Sequence, residues 1–181
     1  LIRGMVQFRL GKIEESLASF DQSIALEPRS AAACWQRGIS LYYLKRYQEA
    51  REQFELHRTV NPNDVENSFW HFLCVAKIHG VDEARKSLLE CGPDSRPPLM
   101  EVLKLLRGEL QTADIIQAAD RARGGPRGKK IAKFYGYLYA GLCEEVVGNL
   151  DRCQEYLQVA IDTEVGGYMA DVAKVHMRLS R

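Results

Sequence analysis

Residue types recur along this chain at a spacing of 34 positions, and this repeat restricts the fold more than any other feature of the sequence. The recurring positions form the pairs Gly4 and Gly38, Leu10 and Leu44, Ser16 and Ala50, Phe20 and Phe54, and Pro28 and Pro62. A further step of the same length leads from Ala50 to Ala84. Self-similarity at a fixed period of this size indicates stacked repeat units, in which each unit covers the apolar face that its neighbour leaves open.

The residue types at the repeated positions suit a pair of packed helices. Small residues such as Gly38 and Ala50 allow two helices to approach closely, and Phe54 supplies bulk between them. Pro62 ends the second helix, because a proline cannot continue it. A unit of 34 residues holds two helices of about four turns each with short connections. No stretch alternates between apolar and polar residues over the length of a strand. The spacing therefore predicts an all-α chain built from helix hairpins.

These positions resemble the tetratricopeptide repeat (TPR) family, whose motif places a small residue, an alanine, an aromatic residue and a proline in this order. The second unit fills these places with Gly38, Ala50, Phe54 and Pro62, and the first with Gly4, Ser16, Phe20 and Pro28. The resemblance implies an all-α, right-handed α-solenoid of about five TPR-type helix hairpins plus a C-terminal capping helix. It also implies a single repeat domain over residues 1–181.

The later units drift from the motif, although Ala84 and Gly141 keep its small positions. The units are predicted at about 1–30, 31–64, 65–96, 97–123 and 128–167, with the capping helix at 168–181. The helices are predicted at about 1–10, 12–26, 31–44, 46–60, 64–79, 81–90, 98–107, 112–122, 129–147, 149–163 and 168–179. Residues 121–130 are predicted to be a flexible connection, because Gly124, Gly125 and Pro126 break structure and the flanking charges keep it solvated.

A narrower resemblance extends over the whole length. The order of units, the segment 69–74, the Pro97-Pro98 break and the ending 168–176 are similar to a group of TPR-like proteins of plants and algae, which often carry chloroplast targeting. The plan is also similar to a bacterial TPR lipoprotein adaptor that works as a dimer. A chloroplast location is the expectation that follows from this resemblance.

The resemblance further implies that the first helices of the units line a concave groove that binds a partner. The residues that fall on this groove are Phe8, Arg9, Trp35, Ile39, Tyr42, Tyr43, Phe69, Leu73 and Lys77. Many are aromatic or apolar, which suits an amphipathic helix or an extended apolar peptide. The alternative is that some of them pack within the array or under the C-terminal helix.

The same comparison removes one class of partner. TPR proteins that bind the acidic C-terminal tail of heat-shock chaperones carry lysine and asparagine on the first helices of their units. This chain has Trp35 and Ile39, and then Phe69 and Leu73, at those places. No carboxylate clamp is therefore predicted.

Composition limits other classes of partner. The chain has 25 basic and 24 acidic residues and a net charge of +1, so its overall charge does not favour nucleic acid or an anionic membrane. Residues 121–130 carry five basic residues that could contact an acidic partner or phosphates, or simply solvate a hinge. No run of apolar residues is long enough to span a bilayer. The five cysteines include no C-x-x-C pair, which favours a reducing compartment and small buried side chains.

Catalytic and metal-binding patterns are weak. His71 and Cys74 are three residues apart and share a helix face, but a Cys–His dyad also needs an orienting group and an oxyanion hole. No two histidines have the i, i+4 spacing typical of zinc ligands on a helix, and no glycine-rich phosphate loop follows a strand. The sequence therefore predicts no enzyme, no metal site and no cofactor.

The leading functional hypothesis is a protein-binding scaffold or adaptor, which holds a partner segment in the aromatic groove as a subunit or assembly factor of a larger complex. Its main anchors are predicted to be Trp35, Tyr42, Tyr43 and Phe69. The alternative is a homo-oligomeric structural protein that associates with itself through its terminal helices.

Overall fold

The computed structural model describes residues 1–180, and the regular secondary structure of this part of the chain is all helical, with no strand. The chain divides into two compact units, Leu1–Gly92 and Pro93–Arg181, called here the N-terminal and the C-terminal unit. The boundary lies close to the predicted end of the third repeat at residue 96. A single repeat domain over residues 1–181 stays a prediction.

The helices follow the predicted order. The N-terminal unit contains α1 (Ile2–Arg9), α2 (Ile13–Leu26), a 3₁₀ helix (Pro28–Ala33), α3 (Trp35–Tyr43), α4 (Tyr47–Arg58), α5 (Val65–His79) and α6 (Val81–Lys86). The C-terminal unit contains α7 (Leu99–Arg107), α8 (Thr112–Asp120), α9 (Pro126–Val146), α10 (Leu150–Asp162) and α11 (Tyr168–Leu179). The all-helical fold class is therefore confirmed for the described residues.

The repeated glycines lie against the repeated phenylalanines, as the spacing predicts. A Cβ atom on Gly4 would lie 2.7 Å from the Phe20 ring, and a Cβ atom on Gly38 would lie 2.7 Å from the Phe54 ring. Both rings are buried, so each hairpin closes through the same contact of a bare helix backbone with an aromatic side chain. Gly141 packs in a similar way in the C-terminal unit, with the Leu157 side chain 3.2 Å from the position of its missing Cβ.

The turns between paired helices also repeat, although their residue types do not. Gly11 and Lys45 are 34 positions apart, and both have left-handed backbone conformations, with φ of 78° and 60°. In the first turn the amide of Gly11 donates to the Phe8 carbonyl at 2.8 Å; one repeat later the amide of Lys45 donates to the Tyr42 carbonyl at 2.9 Å. Lysine keeps this conformation because the hydrogen bonds that end the helix require it.

The structure corrects three details of the sequence prediction. The helix predicted at about 81–90 ends at Lys86. Helix α9 begins at Pro126, so the second half of the segment 121–130 is helical and is not a flexible connection. Proline is well placed at the first position of a helix, where its missing N–H needs no partner. The predicted helix at 31–44 is divided into the 3₁₀ helix and α3, which begins only at Trp35.

The last helix, α11, is buried along most of its length. Nine of its twelve residues are buried, and it packs on α10 within the C-terminal unit. Its accessible side chains include Lys174, Arg178 and Leu179. Helix α11 spans Tyr168–Leu179, which matches the predicted helix at 168–179.

Candidate functional site

Five of the nine predicted groove residues have buried side chains. These are Phe8, Ile39, Tyr42, Phe69 and Leu73. A side chain that no solvent reaches cannot contact a partner without a rearrangement, so in this structure these five contribute to packing. This packing role is the alternative that the sequence allowed for some of the groove residues.

The other four predicted groove residues reach solvent. Arg9 is exposed, and Trp35, Tyr43 and Lys77 are half-buried. Trp35 and Tyr43 lie at the two ends of α3, and Tyr43 rests on a rigid base, since its ring centroid is 5.5 Å from that of Phe8 in an edge-to-face contact. An amphipathic ring held in this way has little conformational entropy to lose on binding.

The base under Tyr43 is an aromatic cluster around Trp70. The Trp70 ring is buried and lies 5.3 Å from the Tyr42 ring and 6.4 Å from the Phe54 ring, centroid to centroid. Tyr43 and Phe69 complete the cluster at 6.4 and 6.3 Å. The sequence analysis did not single out Trp70, although its place in the segment 69–74, which is almost entirely apolar, is a signal that could have found it.

A polar cleft of about 570 Å³ opens in the N-terminal unit, and sequence reasoning missed it as well. Its lining comes from α4, α5, α6 and the residues after α6: Arg51, Glu55, His71, Val75, His79, Glu83, Ser87 and Leu89. The Glu55 carboxylate accepts a hydrogen bond from Arg51 Nε at 2.8 Å and lies 3.2 Å from His71 Nε2. Arg51, Glu55 and His71 thus form a charged network across α4 and α5.

Burial sets the ionisation state of this network. Burial lowers the pKa of His71, against the opposing effect of the Glu55 carboxylate, so the neutral imidazole is favoured. Burial would raise the pKa of Glu55, but the hydrogen bonds from Arg51 and His71 outweigh it and the pKa is lowered. The network therefore consists of a carboxylate held by one guanidinium and a neutral histidine.

Cys74, the sequence neighbour of His71, is a packing residue. Its side chain is completely buried, and this burial raises the pKa of the thiol far above its usual range. A thiol that stays protonated is a poor nucleophile and a poor metal ligand. The pair of His71 and Cys74 therefore lacks the reactive thiolate that a dyad requires.

A second polar cluster ties helices together in the C-terminal unit. Thr112 Oγ1 donates to the buried Glu144 carboxylate at 2.5 Å, and Asn149 Nδ2 donates to its other oxygen at 3.1 Å. Nearby, His176 Nε2 lies 3.9 Å from Cys153 Sγ and 3.7 Å from a Glu145 carboxylate oxygen. Both of these contacts involve the same imidazole nitrogen.

In the range 1–180, no group of three or more His, Cys, Asp or Glu side chains is arranged to hold a metal ion. Over the same range, none of the helices combines the length and the apolar character needed to cross a membrane.

Comparison with known proteins returns no match, either among protein-family models or among curated protein sequences.

Proposed function

We propose that the helix hairpins of this chain are TPR-type repeats that stack as a right-handed solenoid, and that the chain is a scaffold or adaptor that binds a peptide or helix of a partner protein. The repeat assignment is supported by the Gly4–Phe20 and Gly38–Phe54 contacts, which recur after 34 residues. It is also supported by the left-handed turns at Gly11 and Lys45, which recur at the same spacing.

The binding role rests on one observation, the pair of partly accessible aromatic side chains on α3. Trp35 and Tyr43 combine apolar area with a polar atom, and such residues dominate the energy of many protein interfaces. Arg9 and Lys77 add positive charge on α1 and α5. A partner segment that inserts apolar side chains would match the two aromatic rings.

Substitution of the two accessible aromatic residues should weaken partner binding. The intact chain would first be used to capture a partner, which mass spectrometry would identify. We then expect Trp35→Ala and Tyr43→Ala each to reduce the affinity for the purified partner by about 1–3 kcal/mol, because each removes a buried anchor from the interface. Isothermal titration calorimetry would measure the change.

The matched control is Tyr156→Ala, which removes a half-buried tyrosine from the C-terminal unit. This variant should bind the partner with unchanged affinity. If all three variants bind like the unsubstituted chain, the proposed binding surface on α3 is wrong.

A second candidate function, self-association, is favoured by an apolar stripe on α1. Ile2, Val6 and Leu10 are 79%, 43% and 61% exposed and follow one another at four-residue spacing, which places them on one helix face. One repeat later, the position of Val6 is taken by Ser40, whose side chain is buried 3.1 Å from the Ser16 hydroxyl of α2. The stripe is therefore the face that a preceding helix covers in the next hairpin, and a second copy of the chain could cover it here. Helix α11 offers no comparable apolar face.

Substitution of Ile2 and Val6 by serine should abolish self-association, because it removes two of the three apolar side chains of the stripe. Sedimentation equilibrium over a range of protein concentrations would measure the association constant. The control carries serine at Val147 and Leu150, which are 66% and 53% exposed elsewhere. Equal association by the two variants would contradict a role of α1.

A further inference from the structure

The basic residues of the C-terminal unit are concentrated in one stretch of sequence. Between Asp120 and Glu144 the chain contains basic residues and no acidic residue. We call this group the basic ridge; its members are Arg121, Arg123, Arg127, Lys129, Lys130 and Lys133. The net charge of the whole chain, +1, does not reveal this local excess of positive charge.

The basic ridge is accessible to a partner. All six of its side chains are exposed, and within residues 1–180 none of them forms a salt bridge. Arg127, Lys130 and Lys133 follow one another at three-residue spacing in the first turns of α9, so the helix brings their charges to neighbouring positions. These turns carry no acidic residue, and the partial positive charge of the helix N-terminus adds to that of the side chains.

Part of the basic ridge borders a cleft. Lys129, Lys130 and Lys133 line a space of about 570 Å³ together with Val159, Asp162, Thr163 and Glu164 from α10 and the residues after it. Asp162 already accepts a hydrogen bond from Gln158 at 2.8 Å, and neither carboxylate lies within salt-bridge distance of the three lysines. The lysines therefore keep their charge available at the edge of a depression that a short segment can enter.

The surroundings of the basic ridge favour a protein partner over a nucleic acid. Single-stranded nucleic acid is usually held by aromatic rings that stack on its bases as well as by cations. On α9, Tyr137 has Lys133 over its ring at 5.7 Å, and the Tyr156 ring lies edge-to-face to it at 5.8 Å. No aromatic residue lines the cleft itself.

We propose that the basic ridge binds an acidic segment of a partner protein, with Lys129, Lys130 and Lys133 contacting its carboxylates at the cleft between α9 and the end of α10. The proposal concerns a surface of the C-terminal unit, whereas Trp35 and Tyr43 belong to the N-terminal unit. Failure of one proposal therefore leaves the other standing.

The test uses the full chain and a fluorescently labelled oligoglutamate peptide, with binding followed by fluorescence anisotropy at low ionic strength. We expect the variant Lys129→Gln/Lys130→Gln to bind the peptide about three- to tenfold more weakly, because two exposed charge contacts are lost. Raising the salt concentration to about 0.5 M should weaken binding by the unsubstituted chain, since exposed charges are screened. Arg127→Gln provides a second variant of the same surface and should weaken binding in the same direction.

The matched control is Lys104→Gln/Lys174→Gln, which removes the same charge from exposed lysines on α7 and α11 of the same unit. This control should retain the affinity of the unsubstituted chain. The proposal is overturned if the chain does not bind the peptide at low salt, or if the control loses as much affinity as the variant of the basic ridge. It is also overturned if oligouridine of equal charge binds more tightly through the same lysines, which would assign the surface to nucleic acid.

Discussion

Replacement of Gly38 by alanine is expected to lower the free energy of unfolding of the N-terminal unit by about 1–3 kcal/mol, which is the usual cost of overpacking a core. The added Cβ would lie 2.7 Å from Cζ and 2.9 Å from Cε1 of Phe54. Because Phe54 is buried on all sides, its ring has no space into which it can retreat. At an open helix position the same substitution stabilises by up to about 1 kcal/mol, so the expected sign is reversed.

The control is Gly128→Ala in α9, where nothing lies within 4 Å of the new Cβ. That variant should be more stable than the unsubstituted chain, as measured by urea unfolding followed by circular dichroism. Combining Gly38→Ala with Phe54→Leu should cost less than the sum of the two single changes, because the shorter side chain removes the clash. A stabilising Gly38→Ala would mean that the helices of the hairpin do not approach as closely as they do in this structure.

Truncation of Trp70 to alanine should have the largest effect of any single substitution considered, a loss of about 3–5 kcal/mol of unfolding free energy. Its indole is buried and is in contact with the rings of Tyr42, Phe54 and Phe69. Removing it leaves a cavity at the centre of the aromatic cluster that these rigid rings cannot fill. Urea unfolding measured by circular dichroism would give the loss directly.

Two further substitutions test the cause of this loss. Trp35→Ala removes the other tryptophan, which is half-buried. Its loss of unfolding free energy should be at most half of that caused by Trp70→Ala. Trp70→Phe keeps a buried ring and removes an indole N–H that has no hydrogen-bond partner. It should therefore lower the free energy of unfolding far less than Trp70→Ala does. A loss at Trp70→Ala no greater than that at Trp35→Ala would contradict the central position of Trp70 in the core.

The positions of the helices could be predicted from sequence because the signals that set them are local. Pro28, and glycine at 11, 80, 108 and 148, lie within two residues of helix ends in the structure, and Pro62 lies in the connection between α4 and α5. The prediction was wrong at the start of α9 because a proline is compatible with two local structures: it can follow the end of one helix, or it can occupy the first position of the next. Pro126 occupies the first position of α9. The segment 121–130 was therefore interpreted as a connection.

The candidate binding surface was harder to predict, because a helix period shows which residues share a face but not what covers that face. Tyr42 and Tyr43 are adjacent on α3 and have similar chemistry, yet Tyr42 is buried and Tyr43 reaches solvent. The Tyr42 ring lies 5.3 Å from both Tyr47 of α4 and Trp70 of α5, whereas the Tyr43 ring is farther from Trp70, at 6.4 Å. Burial of this kind depends on neighbours that belong to other helices, such as Trp70 of α5.

The sequence by itself determined the 34-residue period, the helix order and the glycine–phenylalanine contacts within hairpins. These follow from the periodicity and from residues that belong to the same hairpin. Only the tertiary structure decided which side chains remain accessible, and only it brought Glu55 to His71 and Lys129 to Asp162. The physical reason is that packing between helices fixes these distances, and the free energy of that packing depends on shape and solvent exclusion, which a single helix does not encode.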